Sequence, residues 1–314
     1  MLNVYTTTKP DRKLIKSNEI QLNSWIELVD PDLDELDYVI ETTGVASDLL
    51  YKMLDEEERP RVEMDDCGTL IVIDTPFLED SEEAFSYITR PLGIIVTKEH
   101  YVITIAPKEV KVLDNFRLNR IRNFRTAKKT RFVIQILLKT AESYQRALKV
   151  VNRTIESKEE ILSKSTNNDD LLDMLELEKT LVYFITALNA NDSVLKKLNK
   201  GFILPLYEGD DDLLEDAIIE NRQAIDQSAL YREILSSITD TYATVVSNNL
   251  NNVMKFLTGV TIILAIPTML FSFMGMNVPF TYLGDNPYSV YILILVALFL
   301  SITLAMILKM RDML

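Results

Sequence analysis

Two long uncharged apolar runs near the C-terminal end constrain this chain more than any other feature. The first extends from Phe256 to Phe273 and the second from Asn286 to Leu308. Each approaches the roughly 20 residues that a helix needs to cross a bilayer. A buried pair of core helices is the alternative, but two such runs in succession are rare in soluble folds. We therefore predict two membrane-spanning helices in a lipid bilayer, preceded by a large domain.

The charges beside these runs predict the orientation of the chain. Lys255 precedes the first run, Lys309 and Arg311 follow the second, and the connection between them has no Lys or Arg. By the positive-inside rule, both termini are cytoplasmic, in a cell (inner or plasma) membrane. The transmembrane domain, 255–314, then consists of a first span, an outer loop, a second span and a tail, at 255–274, 275–285, 286–308 and 309–314.

Composition narrows the class of function. The formal net charge of −14 argues against nucleic acid as a partner and suits a protein that attracts cations. Cys67 and His100 are the only cysteine and histidine, so neither a disulfide nor a dehydrated zinc or copper site is expected. A membrane-anchored enzyme is the competing class, but no Gly-rich phosphate loop or Ser/His/Asp set is present, and we predict no enzyme activity.

Small and polar residues recur along one face of the first apolar run and continue in the same rhythm towards the N-terminus. Their spacing alternates between three and four residues, as on a single helix face. The face comprises Asp240, Ser247, Asn251, Met254, Leu257, Thr258, Thr261, Ala265, Thr268 and Ser272. One interpretation is close packing between helices, and the other is the lining of a water-filled pore. A pore requires a cyclic homo-oligomer, because one chain has too few spans to enclose it.

Four residues on or beside this face have separate interpretations. Met254 and Leu257 would form an apolar constriction near the cytoplasmic mouth, which could gate by dewetting. Asp240 could form a ring at the inner end of the pore. Pro267 frees the carbonyl of Ile263 and could bend the span, or it could be a tolerated kink without a role.

Directly after the first run comes Gly275-Met276-Asn277. Here the chain resembles the CorA family of magnesium transporters, whose hallmark is Gly-Met-Asn at the end of the first of two C-terminal spans. Pro267-Thr268, Trp25-Ile26-Glu27-Leu28 and Arg59-Pro60-Arg61 also look like the family. Met274 departs from it, because the family commonly has an aromatic residue there, usually Tyr.

The resemblance implies a homopentamer with a central pore that passes hydrated Mg²⁺, and Co²⁺ or Ni²⁺ as further cations. Gly275, Met276 and Asn277 would form the selectivity filter, with five copies of Asn277 around the outer mouth. An amide oxygen accepts hydrogen bonds from ion-bound waters without a full charge that would trap the ion. Helix C-capping is the structural alternative for Asn277.

Well before the first apolar run lies an acidic segment without a basic residue. Its carboxylates belong to Glu208, Asp210, Asp211, Asp212, Glu215 and Asp216. One interpretation is a solvated helix N-terminus, where carboxylates suit the dipole. The other is a cytoplasmic Mg²⁺ sensor between subunits, since the resemblance implies that an Asp matching Asp216 helps to hold regulatory cations. Asp212 is a further candidate ligand, and Glu79 or Asp80 of a neighbouring subunit is the suggested partner.

The sequence before the apolar runs predicts an α/β cytoplasmic domain with a long helical stalk. The predicted divisions are the α/β domain at 1–125, a helical hairpin at 126–205 and the cytoplasmic part of the stalk helix at 206–254. The predicted strands are Thr69–Thr75, Gly93–Thr97 and Tyr101–Ala106, and the helices begin at Asp30-Pro31 (ending at Gly44), at Thr130, at Asp169 and near Leu213.

With its two C-terminal transmembrane α-helices, the whole is expected to be a homopentameric funnel-shaped channel, with Mg²⁺ as transported and regulatory ion. Two alternatives stay open. The first is a zinc transporter of the same superfamily, because hydrated Zn²⁺ needs no soft ligands. The second is a membrane-anchored structural or signalling oligomer that conducts nothing.

Overall fold

The computed structural model describes residues 1–7, 13–81, 84–162, 168–276 and 288–311. The chain divides into two compact units, Met1–Ile238 and Thr239–Leu314. The strands are β1 (Leu2–Thr7), β2 (Leu14–Ser17), β3 (Trp25–Val29), β4 (Arg61–Asp65), β5 (Gly68–Ser81), β6 (Ala84–Thr97) and β7 (Val102–Ala106). The helices are α1 (Leu33–Thr43), α2 (Ser47–Tyr51), α3 (Asp114–Arg117), α4 (Lys129–Leu162), α5 (Asn168–Leu198), α6 (Asp210–Met274) and α7 (Ser289–Met310).

The first unit is built on a mixed seven-stranded sheet in the order β2-β1-β3-β7-β6-β5-β4. Strands β3 and β7 pair in parallel, and the other neighbours are antiparallel. In β5, Ile71 and Ile73 face one apolar cluster, while Leu70 and Val72 face the other. Because successive side chains of a strand point to opposite faces, a sheet covered on both sides requires a continuous apolar run there.

Each face of the sheet is covered by its own set of helices. Leu36 and Val39 of α1 and Leu49 and Leu50 of α2 belong to one cluster. The opposite cluster contains apolar residues of α3, α4, the end of α5 and the start of α6. The sheet therefore lies between two helical layers, as expected for an α/β domain with a mixed sheet.

Trp25 is the centre of the larger cluster. Its ring packs against Phe116, Phe124 and Phe132, with ring centroids 6.3, 6.5 and 5.2 Å away. Its indole N–H donates to Thr104 Oγ1 at 2.8 Å, so the buried polar atom is satisfied. This contact set fixes α3, the connection after it and the start of α4 to the sheet.

The predicted start of the first helix is wrong by two residues. Asp32, not Asp30, is the N-cap, and it forms a capping box with Glu35. Asp30 has a φ of 44°, outside the helix. Gly44 ends the helix as predicted, with a φ of 66° that suits glycine.

Helix α6 begins at Asp210, three residues before the predicted Leu213. Asp210 is buried, and its carboxylate accepts from the backbone N–H of Tyr207 at 3.2 Å and pairs with Arg131 at 3.0 Å. The carboxylate thus satisfies a free donor beside the first turn and is itself neutralised. His100 is exposed in the connection between β6 and β7, and its φ is 75°.

Candidate functional site

In the second unit, one face of α6 is covered and the rest is exposed. Gly259 is buried, and Ile263, Pro267 and Leu270 are partly covered. On α7, Ala297 and Leu308 are buried, with Leu293, Ser301 and Leu304 partly covered along the same stripe. Within the described part of this unit α6 and α7 are the only elements, and from the two covered stripes we infer that the helices face each other there. The small residues Gly259 and Ala297 permit a close approach.

All ten residues of the predicted polar face are exposed. Thr261 and Thr268 each lie two positions from a covered residue, Ile263 and Leu270. At 3.6 residues per turn, two positions correspond to about 200° around the helix. The polar face therefore lies opposite the face that packs on α7, where it is free to meet further copies of α6 or to line a pore.

Two threonine hydroxyls on this face, and that of Thr244 closer to the N-terminal end of α6, already donate their hydrogens to the helix backbone. Thr244 Oγ1 donates to the Asp240 carbonyl at 3.0 Å, Thr261 Oγ1 to Leu257 at 2.8 Å and Thr268 Oγ1 to Leu264 at 2.9 Å. A hydroxyl whose hydrogen is used in this way presents its lone pairs as acceptors. The face therefore offers neutral hydrogen-bond acceptors, which suit the outward-pointing hydrogens of water bound to a cation.

Two large apolar residues interrupt this polar face. The side chains of Met254 and Leu257 are 58% and 64% exposed, so nothing within the described chain covers them. Pro267 lies inside α6 without ending the helix, which continues to Met274. Its ring removes the hydrogen bond that the Ile263 carbonyl would otherwise accept.

The start of the Gly-Met-Asn motif closes the end of α6. The Gly275 N–H donates to the carbonyls of Phe271 and Ser272 at 3.0 and 3.2 Å, and Met276 donates to Phe273 at 3.3 Å. Among the described residues, a Cβ added at Gly275 would approach no atom closer than 3.5 Å, an ordinary contact. The described residues therefore do not themselves require glycine at this position. Asn277, the third residue of the motif, lies outside the described residues.

The candidate regulatory ligands are dispersed in the single chain. Asp212 and Asp216 are exposed on α6, and Glu79 is exposed on β5. The side chain of Asp80 lies outside the described residues. Among the residues that the structure describes, no three His, Cys, Asp or Glu side chains are grouped closely enough to hold a metal ion. A regulatory site on Asp216 would therefore need ligands from another subunit or from water.

The structure also reveals a partly buried carboxyl, that of Asp74, which the sequence reasoning missed. Asn191 of α5 binds the Asp74 backbone at both N–H and carbonyl, at 2.9 and 2.8 Å. Burial raises the pKa of Asp74 to about 7. Burial, and secondly the nearby charge of Asp74, raise the pKa of Tyr144 well above its ordinary value. The available signal was an acidic residue that continues the apolar run of β5.

Comparison with known proteins decides the family. A family model described as CorA-like Mg²⁺ transporter protein matches residues 21–311. This chain belongs to the CorA family. The cobalt/magnesium transport protein CorA of Methanocaldococcus jannaschii is 32% identical over 272 residues, which cover 84% of this chain and 82% of that protein.

Solved structures agree with this assignment. The complete structure of the CorA magnesium transporter from Methanocaldococcus jannaschii matches with a TM-score of 0.82 and 28% identity, covering 99% of this chain and 96% of that one. The ZntB cytoplasmic domain from Vibrio parahaemolyticus matches with a TM-score of 0.60 over 78% of this chain and 98% of that one. At 12% identity, this second likeness is one of fold alone.

The predicted family is thereby confirmed, and so is the predicted α/β domain with a long helix and two apolar C-terminal helices. CorA proteins are metal-ion transporters, and they are membrane proteins with two apolar helices at the C-terminal end. Helices α6 and α7 contain the two stretches that are long and apolar enough to cross a membrane, with mean hydropathies of 2.0 and 2.8.

Proposed function

We propose that this chain forms a homopentameric channel that passes hydrated Mg²⁺ across a cell membrane. The observation that carries the proposal is the polar face of α6, which is exposed and lies opposite the face that packs on α7. Five copies of α6 around one axis would enclose this face as a pore. The name of the relative in Methanocaldococcus jannaschii supports Co²⁺ as a second transported ion.

The acceptor chemistry of the pore face favours a hydrated ion. Mg²⁺ dehydrates reluctantly, and its bound waters donate hydrogen bonds outward. Thr261 and Thr268 would accept them without adding charge, so an ion would be attracted but not trapped. At the outer end, Gly275, Met276 and Asn277 would form the filter. At the inner end, Met254 and Leu257 would form the apolar constriction, with Asp240 in a ring beyond it.

Both termini would lie in the cytoplasm, as the flanking positive residues favour. The first unit would then be exposed to cytosolic Mg²⁺. Asp216 and Asp212 of one subunit, with Glu79 or Asp80 of the next, would bind it and hold the channel closed. The exposure of Asp212 and Asp216 and the absence of a three-ligand group in the described chain support ligands from two subunits.

The test is Mg²⁺ uptake into liposomes that contain the purified protein, read by an internal indicator. We expect uptake by the natural protein and its loss in the Asn277→Ala variant, because one substitution removes all five filter amides. Gel filtration of both proteins controls for assembly. Absence of uptake at every internal Mg²⁺ concentration, with the oligomer intact, would contradict the proposal and favour a non-conducting role.

Competition by Zn²⁺ and Co²⁺ in the same assay ranks the cations. We expect Mg²⁺ and Co²⁺ to compete with each other more strongly than Zn²⁺ does. Uptake of Zn²⁺ in preference to Mg²⁺ would instead assign the chain to zinc transport.

A further inference from the structure

A strongly basic segment stands out on this acidic protein. We define the basic segment as Arg120, Arg122, Arg125 and Lys128, in the connection between α3 and α4. No Asp or Glu occurs at 118–130, although the chain as a whole has a net charge of −14. Arg120, Arg122 and Lys128 are exposed and Arg125 is partly covered. None of the four is ion-paired within the part of the chain that the structure describes.

This segment is held rigidly at both ends and in its middle. The Asn119 side chain accepts from the Leu14 N–H at 2.6 Å and donates to the Leu14 carbonyl at 3.3 Å. Thr126 and Thr7 are joined through their hydroxyls at 3.1 Å. Phe124 is 94% buried, in the aromatic cluster around Trp25. Because the backbone that carries the four cations is held in place, their charges stay near one another, and a partner with negative charge would stabilise them.

The structure places an acidic surface beside this segment. Arg131, in the first turn of α4, pairs with Asp210, in the first turn of α6, at 3.0 Å. The beginning of α4, which follows the basic segment directly, therefore lies next to the beginning of α6. The exposed carboxylates there are Glu208, Asp211, Asp212, Glu215 and Asp216, and none is ion-paired within the described residues. Two surfaces of opposite charge thus lie at one end of the domain without satisfying each other.

We propose that the basic segment of one subunit docks on these carboxylates of the next subunit around the ring. The proposal rests on the homo-oligomer proposed above. A ring is closed by heterologous contacts, in which one surface meets a different surface of its neighbour. Opposite charges favour this arrangement and disfavour contact between like segments.

The docking gives the basic segment a regulatory effect. Mg²⁺ that binds Asp212 or Asp216 must displace the guanidinium groups of the neighbouring subunit. The basic segment is then a built-in competitor, and it raises the cytosolic Mg²⁺ concentration at which the channel closes. Removing its charge should make closure more sensitive to Mg²⁺.

Cross-linking tests the docking without depending on transport. In the full chain with Cys67→Ser, the pairs Arg122→Cys with Asp212→Cys and Arg125→Cys with Asp212→Cys would be treated with a short bis-maleimide. We expect linked dimers and higher multimers in denaturing gels, and none from the single-cysteine variants. Linkage confined to one chain, or no linkage by either pair in an intact oligomer, would overturn the inference while leaving the proposed channel untouched.

Transport measurements test the competition. We expect Arg122→Gln with Arg125→Gln to lower the inhibitory Mg²⁺ concentration about two- to tenfold, the effect of losing two exposed ion pairs. Lys149→Gln with Arg153→Gln removes the same charge from exposed positions further along α4 and should leave that concentration unchanged. Equal shifts in both variants would indicate a general field effect and overturn the inference.

A free anion is the remaining occupant to test. A thermal shift caused by inorganic pyrophosphate and abolished by Arg122→Gln, together with no cross-link, would assign the basic segment to a soluble ligand and overturn docking between subunits.

Discussion

The two units of this protein use apolar residues in opposite ways. In Met1–Ile238, the sheet and its helices bury Trp25, Phe132 and their neighbours within one chain. In Thr239–Leu314, only 6% of the most apolar stretch of each helix is buried by the chain itself. The first unit carries its own core, whereas the described part of the second leaves most of its apolar surface uncovered by the chain itself. The second unit exposes the polar face of α6 as well as its apolar surface.

The largest expected difference between the units is in the loss of folding stability when an aromatic ring is deleted. Phe132→Ala should destabilise the first unit by about 3–5 kcal/mol, because it leaves a cavity beside Trp25. Phe299→Ala, on the exposed side of α7, should cost that unit almost nothing. Trp25 is the only tryptophan, so its fluorescence during denaturant unfolding reports on the first unit alone. Equal midpoints for Phe132→Ala and the natural protein would contradict a self-sufficient core.

A pH dependence should also be confined to the first unit. The folded pKa of Asp74, about 7, is above its ordinary value. At a pH between these two values, the folded state therefore holds a proton that the unfolded state has lost. The contribution of Asp74 to the free energy of unfolding should therefore be fully present below about pH 4 and decline as the pH rises to about 7. We expect a loss of about 1–3 kcal/mol, because Asp74 keeps some contact with solvent.

The matched control is Asp74→Asn, which cannot ionise. Denaturant midpoints read by Trp25 fluorescence at pH 5 and pH 8 should differ more in the natural protein than in this variant. An identical pH dependence in both proteins would show that Asp74 is not the responsible group.

The ion pair between Arg131 and Asp210 should have an intermediate effect. Arg131→Gln leaves the buried Asp210 carboxylate with the Tyr207 N–H but without its cation. We expect a cost of about 1–2 kcal/mol, less than for a fully buried pair because Arg131 is partly exposed. Double substitution with Asp210→Asn should recover part of the loss in the same unfolding assay. No recovery would mean that the two residues act independently.

The difference between the units also explains which parts of the fold were readable from sequence. The predicted helices beginning at Thr130 and Asp169 correspond to α4 and α5 within one residue, because long amphipathic patterns are unambiguous. Strands β5 and β6 were predicted too short. Pro76 and Pro91 lie within them, and proline normally argues against a strand. The extended part pairs Phe77 with Ile88, a contact that no local pattern shows.

The candidate site was readable where it depends on helix periodicity alone. The polar face of α6 follows from spacing, and its exposure opposite α7 agrees with that spacing. The raised pKa of Asp74 was not readable, because it depends on how deeply neighbouring elements bury one carboxyl. The first turn of α6 was missed for a related reason. Asp210 looked like one more solvated acid, and only its pairing with Arg131, 79 residues earlier, distinguishes it.

The smallest expected effect sharpens the comparison within the second unit. Thr268 and Thr303 make the same contact, donating to the carbonyl four residues earlier at 2.9 and 2.7 Å. Thr268 lies on the polar face of α6 and Thr303 on α7. Valine at either position should change the free energy of unfolding by less than about 0.5 kcal/mol, because both hydroxyls are exposed.

Transport should nevertheless separate the two substitutions. Thr268→Val replaces a ring of acceptors in the proposed pore with methyl groups and should slow Mg²⁺ uptake about threefold or more, which corresponds to roughly 0.6 kcal/mol. Thr303→Val should leave uptake unchanged, because it removes the same hydroxyl from the exposed side of α7, which does not carry the polar face. Equal uptake by both variants would mean that the polar face of α6 packs against other helices and does not contact the ion. A selective loss in Thr268→Val would identify the exposed face as the surface that the ion passes.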